Sequence, residues 1–301
     1  MTNNNIKIYT NLLVQLDRLH RHNRQGSFKT RERYYKAMKR FCRFLADIYR
    51  LERLANIAPK HLYGYASYMK GKGLSASTIK TDLAAIRFWH DQMPRANCHL
   101  PGNDMLNLER RSFGKQDRTW SIPEFNRFLG VCLEHNREDY AAVARLARYA
   151  GLRLHECFRV DTAIAEDAAR NMAISIKGKG GKVRTVPIDE AIRNELVRIL
   201  SKTKRGHKLF VRDDIETHLE MNSLQQFIAS HRQEIQDPDS LKPLTFHGLR
   251  HTYALQQYEK LILSGCSDTE ARFRVSYLLG HNRADVTRIY LAGLKSGDRN
   301  V

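Results

Sequence analysis

Long apolar runs are missing from this 301-residue chain, and none approaches the about 20 residues needed to span a bilayer. No membrane association is therefore expected. The opening stretch MTNNNIKIYT lacks the basic-then-apolar plan of a secretory signal, so the expectation is a protein that stays in the compartment where it is made. Cysteine is sparse: Cys42, Cys98, Cys132, Cys157 and Cys266 are scattered without a C-x-x-C pair. That excludes a disulfide framework and a zinc knuckle and fits a reducing cytosol. Internal repeats and low-complexity tracts are absent as well. Acid is short relative to base, with 32 Asp and Glu against 51 Lys and Arg, for a net charge of +19. Such an excess predicts a polyanionic partner. Nucleic acid is favoured over an anionic membrane, because no basic end segment studded with Trp or Phe is present. Residues 1–120 hold 23 basic and 9 acidic residues, the remainder 28 and 23, so the first part carries most of the electrostatic grip.

A composition of 42% hydrophobic and 28% charged residues is that of a soluble globular protein, and the length suggests two domains. The first part reads as helices. From Lys29 to Leu51 the apolar residues Tyr34, Met38, Phe41, Leu45 and Ile48 recur at helical spacing, predicting one buried stripe. Lys29, Arg33, Lys36, Arg40 and Arg43 follow the same spacing on the opposite face, and a face of one sign is better explained by phosphates than by solvent alone. A shorter helix is expected over 58–71. Another is expected from Ser75 to Gln92, burying Ile79, Leu83, Ile86 and Trp89, with Lys80 and Arg87 on its other side. Pro94, Pro101, Gly102 and Gly114 then break the pattern. The expected organisation is a helical DNA-binding domain over 1–93, a linker over 94–118 and a second domain over 119–301. Ser121, Pro123 and Glu124 look like a helix start, with two helices over 122–150. Residues 173–177 and 183–188 flank GKGG as strand, turn and strand. Helices return from Glu190 and again from Phe246, so the second part is α+β and mostly helical.

Four segments of that second part carry chemistry. They are AGLRLHE with Arg153 and Glu156, IKGKGGKVRTVPI with Lys179, FHGLRHTYA with His247 and Arg250, and LLGHNRADVTRIYL with His281 and Tyr290. Each residue alone has an ordinary reading: Arg-x-x-Glu as a surface pair, Lys179 as an exposed turn, Gly280 as a helix C-cap, Tyr290 as a core aromatic. His247 and His251 stand four apart like a metal pair, but without the adjacent Glu of H-E-x-x-H that signal is weak. In this order, with His281 nine residues before Tyr290, the segments resemble the signature of the tyrosine recombinases, the phage-integrase family. The resemblance covers about residues 117–295. It implies a catalytic set of Arg153, Lys179, His247, Arg250, His281 and Tyr290, and for the first part the helical, SAM-like core-binding domain of that family.

The residue types suit phosphodiester transfer. The five-coordinate transition state gathers charge on the non-bridging oxygens, and arginine forks meet it with donors that stay protonated. Arg153 and Arg250 would supply them and His281 a third, doing the work that Mg²⁺ does elsewhere. No acidic cluster for metals accompanies the motifs, so neither metal nor other cofactor is expected. A phenol, with a reference pKa of about 10, must lose its proton at neutral pH, and His247 is the candidate base. To Lys179 the resemblance assigns protonation of the leaving 5′ oxygen. It further implies a 3′-phosphotyrosine intermediate, double-stranded DNA with a specific site as partner, and a tetramer that exchanges strands through a Holliday junction in the bacterial cytoplasm, at the nucleoid.

Two features depart from the compact members of that family. His281 follows Arg250 by 31 positions, with a surplus around Ser264 to Arg272, and only 11 residues follow Tyr290, a short tail for docking on a neighbour. No extra module precedes the first helices, so a separate arm-binding domain is not expected. These departures favour the integrase of a mobile element over a housekeeping chromosome dimer resolvase. A type IB topoisomerase shares the chemistry but relaxes any supercoiled DNA. An architectural DNA-binding protein with the same fold would lack the complete set of six residues.

Overall fold

The computed structural model describes residues 2–106, 108–109, 117–178, 181, 183–240, 243–281, 284–292 and 294, with the backbone alone for 284–286. Two compact units divide the chain, Met1–Arg111 and Ser112–Val301.

The first unit is helical. Helix α1, Asn3–His22, starts where the Thr2 hydroxyl accepts the Asn5 amide, and it buries Ile8, Leu12 and Leu16 at a spacing of four. None of the sequence signals above singles this helix out. Helix α2 spans Phe28–Phe44 behind the Ser27 cap, followed by α3 at Pro59–Gly71 and α4 at Ala76–Asp91 behind the Ser75 cap. Met38, Phe41, Leu45, Ile79, Leu83, Ile86 and Trp89 are all buried as their spacing predicts. Tyr34 is half-buried against the same core, and Ile48 is the exception, at 60% exposed. After Phe44 the helix widens into a π turn over Leu45–Tyr49, and the extra residue in that turn rotates Ile48 off the buried stripe. Within the stretch expected as a linker, Leu106 is buried and Leu100 and Leu108 pack against the first unit's core. Residues 107 and 110–116 lie outside the described residues.

The second unit begins with a reciprocal cap, in which Ser121 Oγ accepts the Glu124 amide while the Glu124 carboxylate accepts the Ser121 amide. Helices α5, Ile122–Glu134, and α6, Glu138–Tyr149, follow. The run Ala141, Ala142, Val143, Ala144, Leu146, Ala147 makes α6 buried nearly all round, and these small side chains admit close neighbours. After α7, Leu154–Cys157, and α8, Thr162–Asn171, strands β1 (Ala173–Lys177) and β2 (Val183–Pro187) pair antiparallel, from Ala173 opposite Pro187 to Lys177 opposite Val183. Ile174, Ile176, Arg184 and Val186 face inward by the period of two. Helices α9 (Glu190–Leu200), α10 (Thr217–Ser230) and α11 (Arg232–Ile235) lead to α12 (Phe246–Leu263), which packs against α6, α13 (Asp268–Leu279) and α14 (Ala284–Tyr290). The surplus around Ser264 to Arg272 forms the turn after α12 and the first residues of α13, with Ser267 as N-cap.

Candidate functional site

The site is assembled from backbone turns as much as from side chains. Gly151 ends the segment after α6 with φ +62, and the Tyr253 ring packs so closely that an added Cβ would lie 2.4 Å from it. The chain then turns to put Arg153 at the head of α7. One turn on, the fully buried Glu156 points back: its Oε2 accepts the Arg153 amide at 2.7 Å and its Oε1 the Arg153 Nη1 at 2.8 Å. The same two oxygens take a parallel pair from Arg184 on β2, each at 2.7 Å. Burial alone would raise the Glu156 carboxyl, but the bonds from Arg184 and Arg153 override it and hold it down at about 2.

Arg250 reaches this cluster from α12 and is 1% exposed. It donates through Nη1 to the Gly151 carbonyl and through Nη2 to the Leu279 carbonyl, which also accepts Arg153 Nη2 at 3.3 Å. Two guanidiniums thus meet at the carbonyl end of α13, the negative pole of its dipole. Burial and then the nearby charge of Arg153 pull the Arg250 guanidinium down to about 10, so it is still charged at neutral pH. The position of α12 is fixed from the 118–120 segment. Trp120 Nε1 donates to the Thr245 carbonyl at 3.0 Å and the Trp120 amide to Thr252 Oγ1 at 2.9 Å.

Tyr290 closes the cluster from α14, 8% exposed. Its ring centre lies 4.6 Å from the His251 ring, 5.6 Å from that of His247, 5.6 Å from that of His281, stacked, and 5.7 Å from the Arg250 guanidinium carbon. His281 follows the left-handed Gly280 that ends α13, and its Nδ1 lies 3.3 Å from Ser276 Oγ. His247 keeps an open edge, yet the packing around its ring, and then the positive charges of Arg250, Arg118 and Arg153, push it well below the ordinary histidine value. At neutral pH it is an uncharged imidazole able to accept a proton. His251 is pushed down to about 3, first by burial and then by His247 and Arg118. Among the described residues neither of its ring nitrogens has a partner, nor do three His, Cys, Asp or Glu side chains gather anywhere as metal ligands would.

Two family models match the chain: the phage integrase family over residues 123–296, and the N-terminal SAM-like domain of phage integrases over 16–95. The chain belongs to the phage integrase family, the tyrosine-type site-specific recombinases. It is 23% identical over 277 residues to the tyrosine recombinase XerC of Natranaerobius thermophilus, covering 88% of each chain. It is 24% identical over 226 residues to the integrase of Escherichia phage P2, covering 75% of this chain and 58% of that one. A lambda integrase dimer bound to a COC′ core site shares the fold at a TM-score of 0.65 and 18% identity, over 92% of this chain and 93% of that one.

Of the six motif residues, then, the recombinase brings Arg153, His247, Arg250, His281 and Tyr290 together. Lys179 lies outside the described residues. Arg-x-x-Glu by itself reads as a surface pair, whereas Glu156 is the buried hub of the site. Arg184 is absent from the motif set, although the alternation of β2 places residue 184 inward. His251 enters the sequence signals only as half of a metal pair, although its spacing of four from His247 sets both on one face of α12.

The basic residues expected to meet DNA belong to the first unit. Lys29, Arg33, Lys36, Arg40 and Arg43 are all exposed along α2. Lys29, Arg33 and Arg43 make no ion pair among the described residues, and Lys36 pairs with Glu32 at 2.7 Å. Arg40 is engaged internally: its guanidinium donates to both carboxylate oxygens of the buried Asp82, at 2.7 and 2.8 Å, tying α2 to α4. Arg87 donates to the Pro101 carbonyl and Asn103 Oδ1, and Lys80 to the Glu109 carbonyl at 2.6 Å.

Proposed function

We propose that this recombinase cleaves and rejoins DNA at a specific site, with Tyr290 as nucleophile. The observation that carries the reading is the convergence of His247, Arg250 and His281 on the Tyr290 ring, with Arg153 sharing the Leu279 carbonyl with Arg250, from three separated segments. The phenol oxygen attacks the scissile phosphorus and His247 takes its proton. The bond from phosphorus to the 5′ oxygen breaks, and Lys179 protonates the departing oxygen. Arg153 and Arg250 hold the non-bridging oxygens as charge builds on them, with His281 as a further donor. The products are a 3′-phosphotyrosine and a free 5′ hydroxyl. A 5′ hydroxyl from a second duplex reverses the step, so four protomers on two sites exchange strands through a Holliday junction without a nucleotide cofactor. Lys29, Arg33 and Arg43 are the members of the basic face left to lie along phosphates.

A nicked suicide duplex tests the chemistry. Wild type should give a covalent complex that survives a denaturing gel, and Tyr290→Phe should bind the site without forming it; a shifted band that persists in the variant removes Tyr290 from the role. For the biological setting we favour a mobile element, supported by the lengthened segment before His281 and the likeness to the phage P2 integrase. Chromosome dimer resolution is the second reading, favoured by the likeness to XerC over 88% of each chain. Mapping covalent complexes in cells separates them: junctions at element ends support the first, and a single site near the replication terminus the second.

A further inference from the structure

Arg184 is an anomaly of β2. An inward position on a two-stranded hairpin ordinarily takes an apolar side chain, as Val186 beside it does, and a buried guanidinium persists only where it is paired. Its pairing is specific. Both Nη atoms fork onto the Glu156 carboxylate at 2.7 Å, the group that also fixes the Arg153 backbone and guanidinium. Nη2 lies 3.4 Å from the Gly151 carbonyl, the acceptor of Arg250. Its Cδ fills the space beside Gly280, 2.7 Å from where a Cβ would stand, and Gly280 separates Leu279, the shared acceptor of Arg153 and Arg250, from His281. One side chain therefore touches the three points of backbone and carboxylate that set both phosphate-facing arginines. Arg153, Arg184 and Arg250 around one carboxylate leave two positive charges uncompensated, which suits a phosphorane gaining a second negative charge.

We infer that Arg184 is a positioning residue for strand cleavage: by clamping Glu156 it holds Arg153 and Arg250 at the non-bridging oxygens of the scissile phosphate. This rests on the proposed role of those two arginines. The test is single-turnover cleavage by the full chain of two suicide duplexes, one with the native phosphodiester and one in which a methyl replaces a non-bridging oxygen and removes its charge. On the native substrate Arg184→Lys, which keeps the charge and loses the fork, should cleave on the order of 10²-fold more slowly than wild type, the loss expected of a misplaced catalytic group. On the neutral substrate the penalty should shrink at least about tenfold, because less charge awaits the arginines. The ratio of the two rates within one preparation is independent of the fraction folded, so a destabilised variant still reports. Arg153→Ala and Arg250→Ala are the controls. If neither is relieved on the neutral substrate, the role of the arginines themselves fails. If they are relieved and Arg184→Lys loses equally on both substrates, or loses nothing, the positioning role is overturned and Arg184 is only a tie within the fold. A second arm needs no analogue: Arg184→Lys should cost less in the Arg153→Ala background than in wild type, whereas full additivity contradicts the inference.

Discussion

The division of labour along α2 leads to a prediction that separates stability from DNA affinity at neighbouring positions. Asp82 carries a side chain 4% exposed, and Arg40, at 55%, supplies its charge-bearing partner through a short contact at 2.7 Å. Replacing Arg40 with Gln leaves the buried carboxylate to the Tyr65 hydroxyl, 3.5 Å away. Breaking a fully buried pair costs about 3–5 kcal/mol, but an arginine half in water gains much less from its partner, so about 1–2 kcal/mol is expected here. For a unit of this size that lowers the melting temperature by about 5–10 °C. Adding Asp82→Asn should recover part of the loss, since the carboxylate that needed Arg40 is gone. Lys29, Arg33 and Arg43, without such partners, are expected to behave in the opposite way. Changing all three to Gln should leave the melting temperature nearly unaltered and flatten the slope of log affinity against log salt by up to about 2.7, or about 0.9 per phosphate contact. Calorimetry and a salt titration of duplex binding check both halves. A stable Arg40→Gln protein with a reduced salt slope, or a triple variant with an unaltered slope, would refute the assignment.

Arg153→Ala and Arg250→Ala should each slow single-turnover cleavage by about 10²–10³ while DNA affinity changes far less. Only Arg250→Ala should also lower the melting temperature clearly, because it removes a fully buried side chain and leaves the Gly151 and Leu279 carbonyls with only the longer bonds from Arg184, at 3.4 Å, and Arg153, at 3.3 Å. The depressed pKa of His247 keeps the imidazole neutral as the medium acidifies, so cleavage should hold constant from pH 8 to below the ordinary histidine value of about 6.5; an acid limb centred at 6.5 speaks against His247 as the base. Glu156 has a folded pKa below its unfolded one, so its stabilisation is complete above the unfolded value of about 4.3 and is lost as pH falls toward 2. Acid titration of stability should therefore show Glu156→Gln less stable at pH 7 but with a shallower decline below pH 4.3, by on the order of 3 kcal/mol; equal slopes would mean that the carboxylate is not held as described.

The sequence by itself determined the elements whose signals are local. Helical spacing located α2 and α4 and most of the apolar stripe that each buries, the Ser121 to Glu124 cap located α5, and the turn glycines flanked by alternating residues located the hairpin. The motif order named the family, because these six residues in one order are improbable apart from that chemistry. What only the tertiary structure decided depends on distance between segments far apart in the chain. Ile48 left its stripe because a π turn, invisible to a fixed period of 3.6, absorbed one residue. Arg40 became a structural residue because Asp82, 42 positions away, is buried against it. Arg184 became part of the site because burial at β2 demanded a carboxylate, and Glu156 supplied one 28 positions earlier. Charge alone marks a residue as able to bind an anion, and the fold determines whether that anion is a phosphate outside or a carboxylate within.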